Sequence, residues 1–459
     1  MNQASNLKRS IIIVGLDIIF MMVLYHILPY SHSQNLGICL LFFIGILWLS
    51  EAIHVSLTAL LVPIMSVVLG LQDTKSALAT FANPIIFLFF GGFALATALH
   101  MQGIDKLIAH KLLKTSKGNM KIAVIILFCV SAFLSMWISN TATAAIMLPL
   151  GLGVLSNINA NSDRQTFVFI LLGIAYSASI GGFATLVGSP PNVIAASALG
   201  LGFLDWMKIG VPFMFVMLPS CLFILYLVTK PNLNIDFKVD ECDISWDFNK
   251  ILTIAIFILM ATAWIFSSKI SQMLGGVSEI DALIAMIGAV LIGLSGAASW
   301  RDIQKYTDWG VLWLFGGGLA LGAIIKDSGA SEAMANTMAN LLGFDQDGSL
   351  SIFSLILIIG VLAIFVIMLT EFTSNTASAS LLIPIFASLS TALNLPPSLL
   401  TLVIALGGSC AFMLPVATPP NAIVFGTGYI RQIEMIRAGV WLGLFSVVML
   451  IIFGVFIWE

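Results

Sequence analysis

The chain has 459 residues, 59% hydrophobic and 9% charged, with a formal net charge of −3. No soluble core absorbs that apolar fraction, so the composition is that of an all-α polytopic membrane protein, with no basic face for nucleic acid. Its five cysteines (Cys39, Cys129, Cys221, Cys242 and Cys410) are odd in number and far apart. They lack metal-ligand spacing and argue against a disulfide framework.

A helix crossing the bilayer needs about 20 apolar residues. Eleven stretches qualify: 11–29, 36–53, 55–71, 84–103, 166–197, 207–229, 250–268, 280–297, 309–326, 399–428 and 438–458. Lys8-Arg9 before the first run has the charge that opens a signal peptide. No small-residue cleavage site follows, so 1–35 is read as an uncleaved first span. Two further apolar stretches, 121–156 and 350–390, carry a polar phrase near their middles. Their arms are short for a full crossing, and both are read as re-entrant hairpins. The polar stretch 231–249 is a linker between halves 36–230 and 250–459.

Those phrases are one phrase used twice. Ser139-Asn140-Thr141 recurs as Ser374-Asn375-Thr376, 235 residues on, and Pro149 recurs as Pro384 at the same offset. Gly188-Ser189-Pro190-Pro191-Asn192 recurs as Ala417-Thr418-Pro419-Pro420-Asn421, offset 229, inside the stretches 166–197 and 399–428. Phe90-Gly91-Gly92 returns as Phe315-Gly316-Gly317, offset 225. Ser, Thr and Asn favour helix starts, and Pro-Pro forbids a continuous helix. Each half therefore has two places where helix stops at membrane depth, which a bilayer tolerates only where protein or water satisfies the backbone. Five spans per half set the second upside down relative to the first, and inverted repeats with broken helices at the midplane mark secondary transporters.

Charge gives the orientation. With the N-terminus inside, 15 of the 19 Lys and Arg residues fall on the cytoplasmic side, and only Lys75, Lys208, Lys269 and Lys326 fall outside. The chain is thus expected in the inner membrane, N-terminus cytoplasmic and C-terminus extracytoplasmic. The first hairpin enters from the cytoplasm and the second from outside. Lysines 106, 111, 114, 117 and 121 point to a helix lying on the cytoplasmic face.

Helices starting at the Ser-Asn-Thr phrases offer free N–H groups and a positive dipole end to an anion. Hydroxyls, amides and freed carbonyls suit Na+. No Lys, Arg or His lies within ten residues of either phrase, so an anion held there needs co-bound cations. That is coupling in its simplest form.

These paired phrases resemble the divalent-anion/sodium symporters (the DASS or INDY-type family), and the resemblance runs from the second span to the end. It implies a homodimer in which a transport part moves against a scaffold by an elevator motion. By position it implies a first Na+ site at Ser135, Ser139, Asn140 and Gly188, and a second at Thr370, Thr373, Asn375 and Ala417. It implies a dianion between Asn140, Thr141, Asn375 and Thr376, against Pro190 and Pro419, with Ser189 and Thr418 beside it. Ser135 and Thr370 are themselves 235 apart, so the repeat independently pairs them. The function implied is Na+-coupled symport of C4 dicarboxylates such as succinate, malate or fumarate. The alternative is a Na+-independent dicarboxylate exchanger, or a citrate or sulfate symporter, of the same fold.

Other polar residues fit less sharply. Glu371 has Met136 as counterpart and is open between tuning the second cation site, accepting a proton and a structural hydrogen bond. Glu51 and His54 read as a connector, and Asp17 and His100 as interfacial or satisfied within the bundle. Trp48, Trp137, Trp309, Trp313 and Trp441 read as interface anchors. An intramembrane hydrolase is disfavoured, since neither hairpin has a His near its serine in sequence to activate it. The chain is therefore read as no enzyme.

Overall fold

The computed structural model describes residues 3–156, 158–160, 163–235, 246–341, 352–392 and 395–458. All regular secondary structure among them is helical. The expected crossings are Gln3–Ile27, His32–Ser50, Val55–Val68, Pro84–Met101, Phe203–Thr229, Phe248–Ile265, Ile280–Ser295, Trp309–Asp327 and Gln432–Phe456, with two broken pairs. The pairs are Arg164–Gly181 with Pro190–Leu199, and Pro397–Gly407 with Pro419–Phe425. In each pair the two prolines take the first positions of the second helix, where a missing N–H leaves no bond unmade. Part of the linker, 236–245, lies outside the described residues.

The hairpins are Met120–Ser135 with Asn140–Leu155, and Ile352–Thr370 with Asn375–Ala392. One expectation needs correction. Ile352–Thr370 has 19 residues and is long and apolar enough to cross a bilayer by itself. Its run to Leu369 holds no charge or proline to end the helix sooner. The expected surface helix is Ile104–Lys114, entered through Gly103 at φ +63°, and its repeat-mate Ala330–Leu341 is entered through Gly329 at φ +73°. Both elbows use the left-handed region that glycine enters without strain.

The halves interlock crosswise. Pro84–Met101 packs on Ile280–Ser295, and Trp309–Asp327 on Val55–Val68. A Cβ at Gly91 would lie 2.5 Å from the Ala285 carbonyl oxygen, and one at Gly317 would lie 2.6 Å from the Ala59 Cβ. The repeated Phe-Gly-Gly thus marks a close approach between the repeats. Gly210 and Gly439, 229 apart, mark a close approach within each half, between the long helix after the break and the unwound loop. A Cβ would stand 2.1 Å from the Phe183 oxygen and 2.5 Å from the Phe412 oxygen, respectively. Gly210→Ala and Gly439→Ala are each expected to lower the thermal midpoint, by overpacking worth about 1–3 kcal/mol. Unchanged midpoints in both would refute this packing.

Trp48 and Trp137 are buried and not interfacial; the Trp48 indole donates to the Val55 carbonyl at 3.1 Å and Trp137 stacks on Phe203. Trp309, Trp313 and Trp441 stay exposed, as expected of anchors. Asp17 also departs from expectation: it is 2% exposed and neither carboxylate oxygen has a hydrogen-bond partner among the described residues.

Candidate transport site

Both Ser-Asn-Thr phrases cap a helix. The Ser139 hydroxyl accepts from Ala142 N–H at 3.2 Å, and Ser374 accepts from Ala377 N–H at 3.5 Å. Each preceding arm ends on the residue that the repeat pairs. Ser135 and Thr370, both fully buried, lie with their hydroxyls 2.5 Å from the amides of Asn140 and Asn375.

These clusters are rich in acceptors. The Thr370 hydroxyl is 2.5 Å from the Asn375 amide oxygen and 2.8 Å from the Gly408 carbonyl, with one proton to give to two oxygens. The Asn140 amide faces the carbonyls of Ala178 at 3.1 Å and Gly188 at 3.2 Å. With no ion between them, its nitrogen belongs on that side and donates to both. Gly188 and Gly182 sit in the same knot. A Cβ at Gly188 would come 2.7 Å from the Gly182 oxygen and 3.0 Å from the Ser135 oxygen. A Cβ at Gly182 would come 2.7 Å from Asn140 Oδ1. The methyl group that Ala417 carries in the other half therefore has no room at Gly188. Ala417 is buried, its N–H on the Leu414 carbonyl at 3.2 Å. The Thr373 hydroxyl turns back to its own hairpin, onto the Leu369 carbonyl and the Ser378 hydroxyl.

The broken helices cross to the opposite hairpins. Asn140–Leu155 packs on Pro419–Phe425, and Asn375–Ala392 on Pro190–Leu199. Helix starts at Asn140, Pro190, Asn375 and Pro419 thus belong to one crossed assembly. The two breaks meet directly where the Ser189 hydroxyl lies 3.3 Å from that of Ser409. Ser189 makes no side-chain cap, whereas Thr418 accepts from Asn421 N–H at 3.3 Å. Thr141 is exposed and Thr376 buried, Pro190 half-buried and Pro419 exposed. Ser139 and Thr141 face a cavity of about 1150 Å3 between the first hairpin and helix Pro84–Met101.

Sequence reasoning missed what holds the unwound segments open. The Asn192 amide nitrogen donates to the carbonyls of Gly182 and Thr185, each at 2.7 Å. Asn421 donates to Ala411 and Leu414, each at 3.1 Å. All three pairs are related by 229 residues, so the last letter of Pro-Pro-Asn pins the loop before it in both halves. The signal was in the repeat, but its purpose needs the loop's path. Glu371 is committed to a structural task. One carboxylate oxygen accepts from the N–H groups of Phe412 and Met413, at 2.7 and 2.8 Å, and the other from Leu414 at 2.8 Å. The Tyr176 hydroxyl donates to the Phe412 carbonyl at 2.6 Å, reaching across from the first half. In that half Met136 offers no carboxylate, and Phe183 and Ala184 N–H groups bond instead to the carbonyls of Ile180 and Gly181.

The citrate transporter family profile matches residues 45–407. An uncharacterized transporter of Haemophilus influenzae is 52% identical, covering 98% of this chain and 97% of its own. The sodium-dependent dicarboxylate transporter SdcS of Staphylococcus saprophyticus is 34% identical over 98% of this chain and 92% of its own. The chain belongs to the divalent-anion/sodium symporter family. Its members named here are transporters and not enzymes. The fold agrees with the crystal structure of the YdaH transporter of Alcanivorax borkumensis, at a TM-score of 0.56 and 15% identity over 83% of this chain and 87% of that one. Among the described residues no three His, Cys, Asp or Glu side chains come together as metal ligands.

Proposed function

We propose that the chain couples Na+ to symport of C4 dicarboxylates such as succinate, malate or fumarate, as a homodimer working by an elevator-type motion. The observation that carries this is the matched pair of oxygen-lined clusters at Ser135–Asn140 and Thr370–Asn375: in the second one hydroxyl proton faces two oxygens, and in the first the Asn140 nitrogen must turn toward the carbonyls to supply a donor. Lone pairs facing one another are unfavourable unless a cation enters, and neutral oxygens suit Na+. Ser135, Ser139, Asn140 and Gly188 would hold one ion, and Thr370, Thr373, Asn375 and Ala417 the other. In the ion-free form the Asn140 nitrogen bonds the two carbonyls; a cation reverses that preference and turns the amide oxygen inward. The dianion would then lie among Asn140, Thr141, Asn375 and Thr376, with Ser189, Pro190, Thr418 and Pro419 at its edges. The SdcS relatives, sodium-dependent dicarboxylate transporters by name, support both the cation and the substrate class.

One side of the transporter stands open in this reading. Phe93 and Thr97 line the large cavity together with Ala145 and Pro149. Their repeat-mates stand closer together, a Cβ at Gly318 lying 2.8 Å from Ser380 and one at Gly322 lying 3.1 Å from Pro384, although Gly318, Gly322 and Pro384 line a smaller cavity of their own. The corresponding cavity of the second half, about 700 Å3, meets its hairpin at Ile383 and Pro384, about two turns beyond Asn375. With the basic residues taken to set the large cavity toward the cytoplasm, this reading makes the conformation inward-facing.

Proteoliposomes test the proposal. Labelled succinate uptake should require an inward Na+ gradient and collapse when choline replaces Na+. Equal uptake in choline would sink the symport reading and leave the exchanger. Citrate is expected to compete weakly, since no Lys, Arg or His within ten residues of either phrase meets a third carboxylate.

A further inference from the structure

The large cavity runs from Ser139 and Thr141 to the elbow between Pro84–Met101 and Ile104–Lys114. At the elbow Asp105 is 2% exposed. One of its oxygens accepts from Lys106 N–H at 2.7 Å and the other lies 3.1 Å from His100 Nδ1. The His100 ring packs edge-to-face on Tyr306 with centroids 5.4 Å apart. The carboxylate thus takes Nδ1–H and directs Nε2 away from itself. The imidazole is 39% exposed on the cavity wall. A neutral ring held this way presents a lone pair at Nε2, and a protonated one presents a donor.

We propose that His100, Lys106 and His110 form a vestibular anion site, which takes a carboxylate or sulfate group in the His-protonated state and needs no Na+. The proposal borrows its physiological ligand from the dianion reading above but is independent of cation coupling. His100 contacts Asp105 and Tyr306, the latter with Lys305 over its ring, and it shares the cavity lining with Lys106 and His110 of the surface helix. Asp308 and Lys250 complete the wall, and the Lys250 ammonium is 3.0 Å from Asp247. Lys106, Lys250 and Lys305 stand against Asp105, Asp247 and Asp308, so the wall stays close to neutral until the histidines protonate. Each protonation then adds a full positive charge beside a space large enough for the ligand. Held outside the hairpins, a dianion is retained near the mouth without occupying the coupled site.

The test uses the full chain, labelled with 13C-histidine, in nanodiscs and Na+-free choline buffer, titrated separately with sulfate and succinate. The titration midpoints of His100 and His110 should rise with anion. By linkage, a one-unit rise implies affinity weakening about tenfold as pH climbs through the histidine range. His26, His32 and His54 lie outside the cavity lining and serve as internal controls. His100→Gln keeps an N–H for Asp105 and should remove the share of the pH dependence linked to His100, leaving that of His110. Midpoints that ignore both anions overturn the proposal, as do equal shifts in all five histidines, which would mark a bulk ionic effect. A response to sulfate alone supports the site and counts against the dicarboxylate reading instead.

Discussion

Glu371→Gln is expected to abolish Na+-dependent succinate uptake and to lower the thermal midpoint by many degrees. The carboxylate accepts from three consecutive backbone N–H groups, those of Phe412, Met413 and Leu414. Glutamine keeps one acceptor and turns an NH2 group toward the remaining donors. A buried N–H without an acceptor costs about 1–3 kcal/mol, and a donor facing a donor costs more. The damage falls where function needs rigidity, because this loop joins Pro397–Gly407 to the short helix at Pro419. It also carries the Phe412 carbonyl that Tyr176 binds from the other half. Glu371→Ala should destabilise at least as much, by leaving all three N–H groups open. The measurement is paired, with thermal midpoint in detergent and uptake in proteoliposomes. A glutamine variant with wild-type stability but altered pH dependence would show a proton relay instead of a clamp.

That clamp also marks where the sequence stops being readable. The hairpins, both breaks and the pairing of Ser135 with Thr370 were legible, because each is a local preference repeated at a fixed offset, and a repeat turns weak signals into strong ones. Glu371 was visible as an intruder in the symmetry, yet three roles stayed open for it. Its partners lie 41 to 43 residues away, on a loop whose path no periodicity describes. Asn192 and Asn421 were hidden differently. They stood inside a quoted motif, but their amides serve backbone carbonyls seven and ten residues upstream. Trp48 and Trp137 misled because a tryptophan in a membrane helix is read by its interfacial statistics. Here packing near the helix ends draws both into the bundle. Length misled at Ile352–Thr370, where a full-length helix ends in a polar turn clamped from within the protein.

Asn140→Ala and Asn375→Ala are expected to fold and yet transport poorly, each losing about 100-fold or more in succinate affinity. Alanine is well tolerated at a helix start already capped by Ser139 or Ser374. What disappears is an amide oxygen from a cluster in which the proposed Na+ offsets the charge of the dianion. Opposite unit charges 4 Å apart attract by about 4 kcal/mol at an effective dielectric of 20, so losing one cation alone accounts for a change of that size. The repeat makes a sharper demand. If the anion binds only when both cages are filled, either substitution removes the same coupled state, and the double variant should be scarcely worse than a single one. High Na+ should restore part of the affinity in each single variant, and potassium should restore none. Two independent, multiplying losses, or variants that bind succinate normally in choline, would show that the anion does not depend on the cations. The symmetry of the two clusters would then serve packing alone.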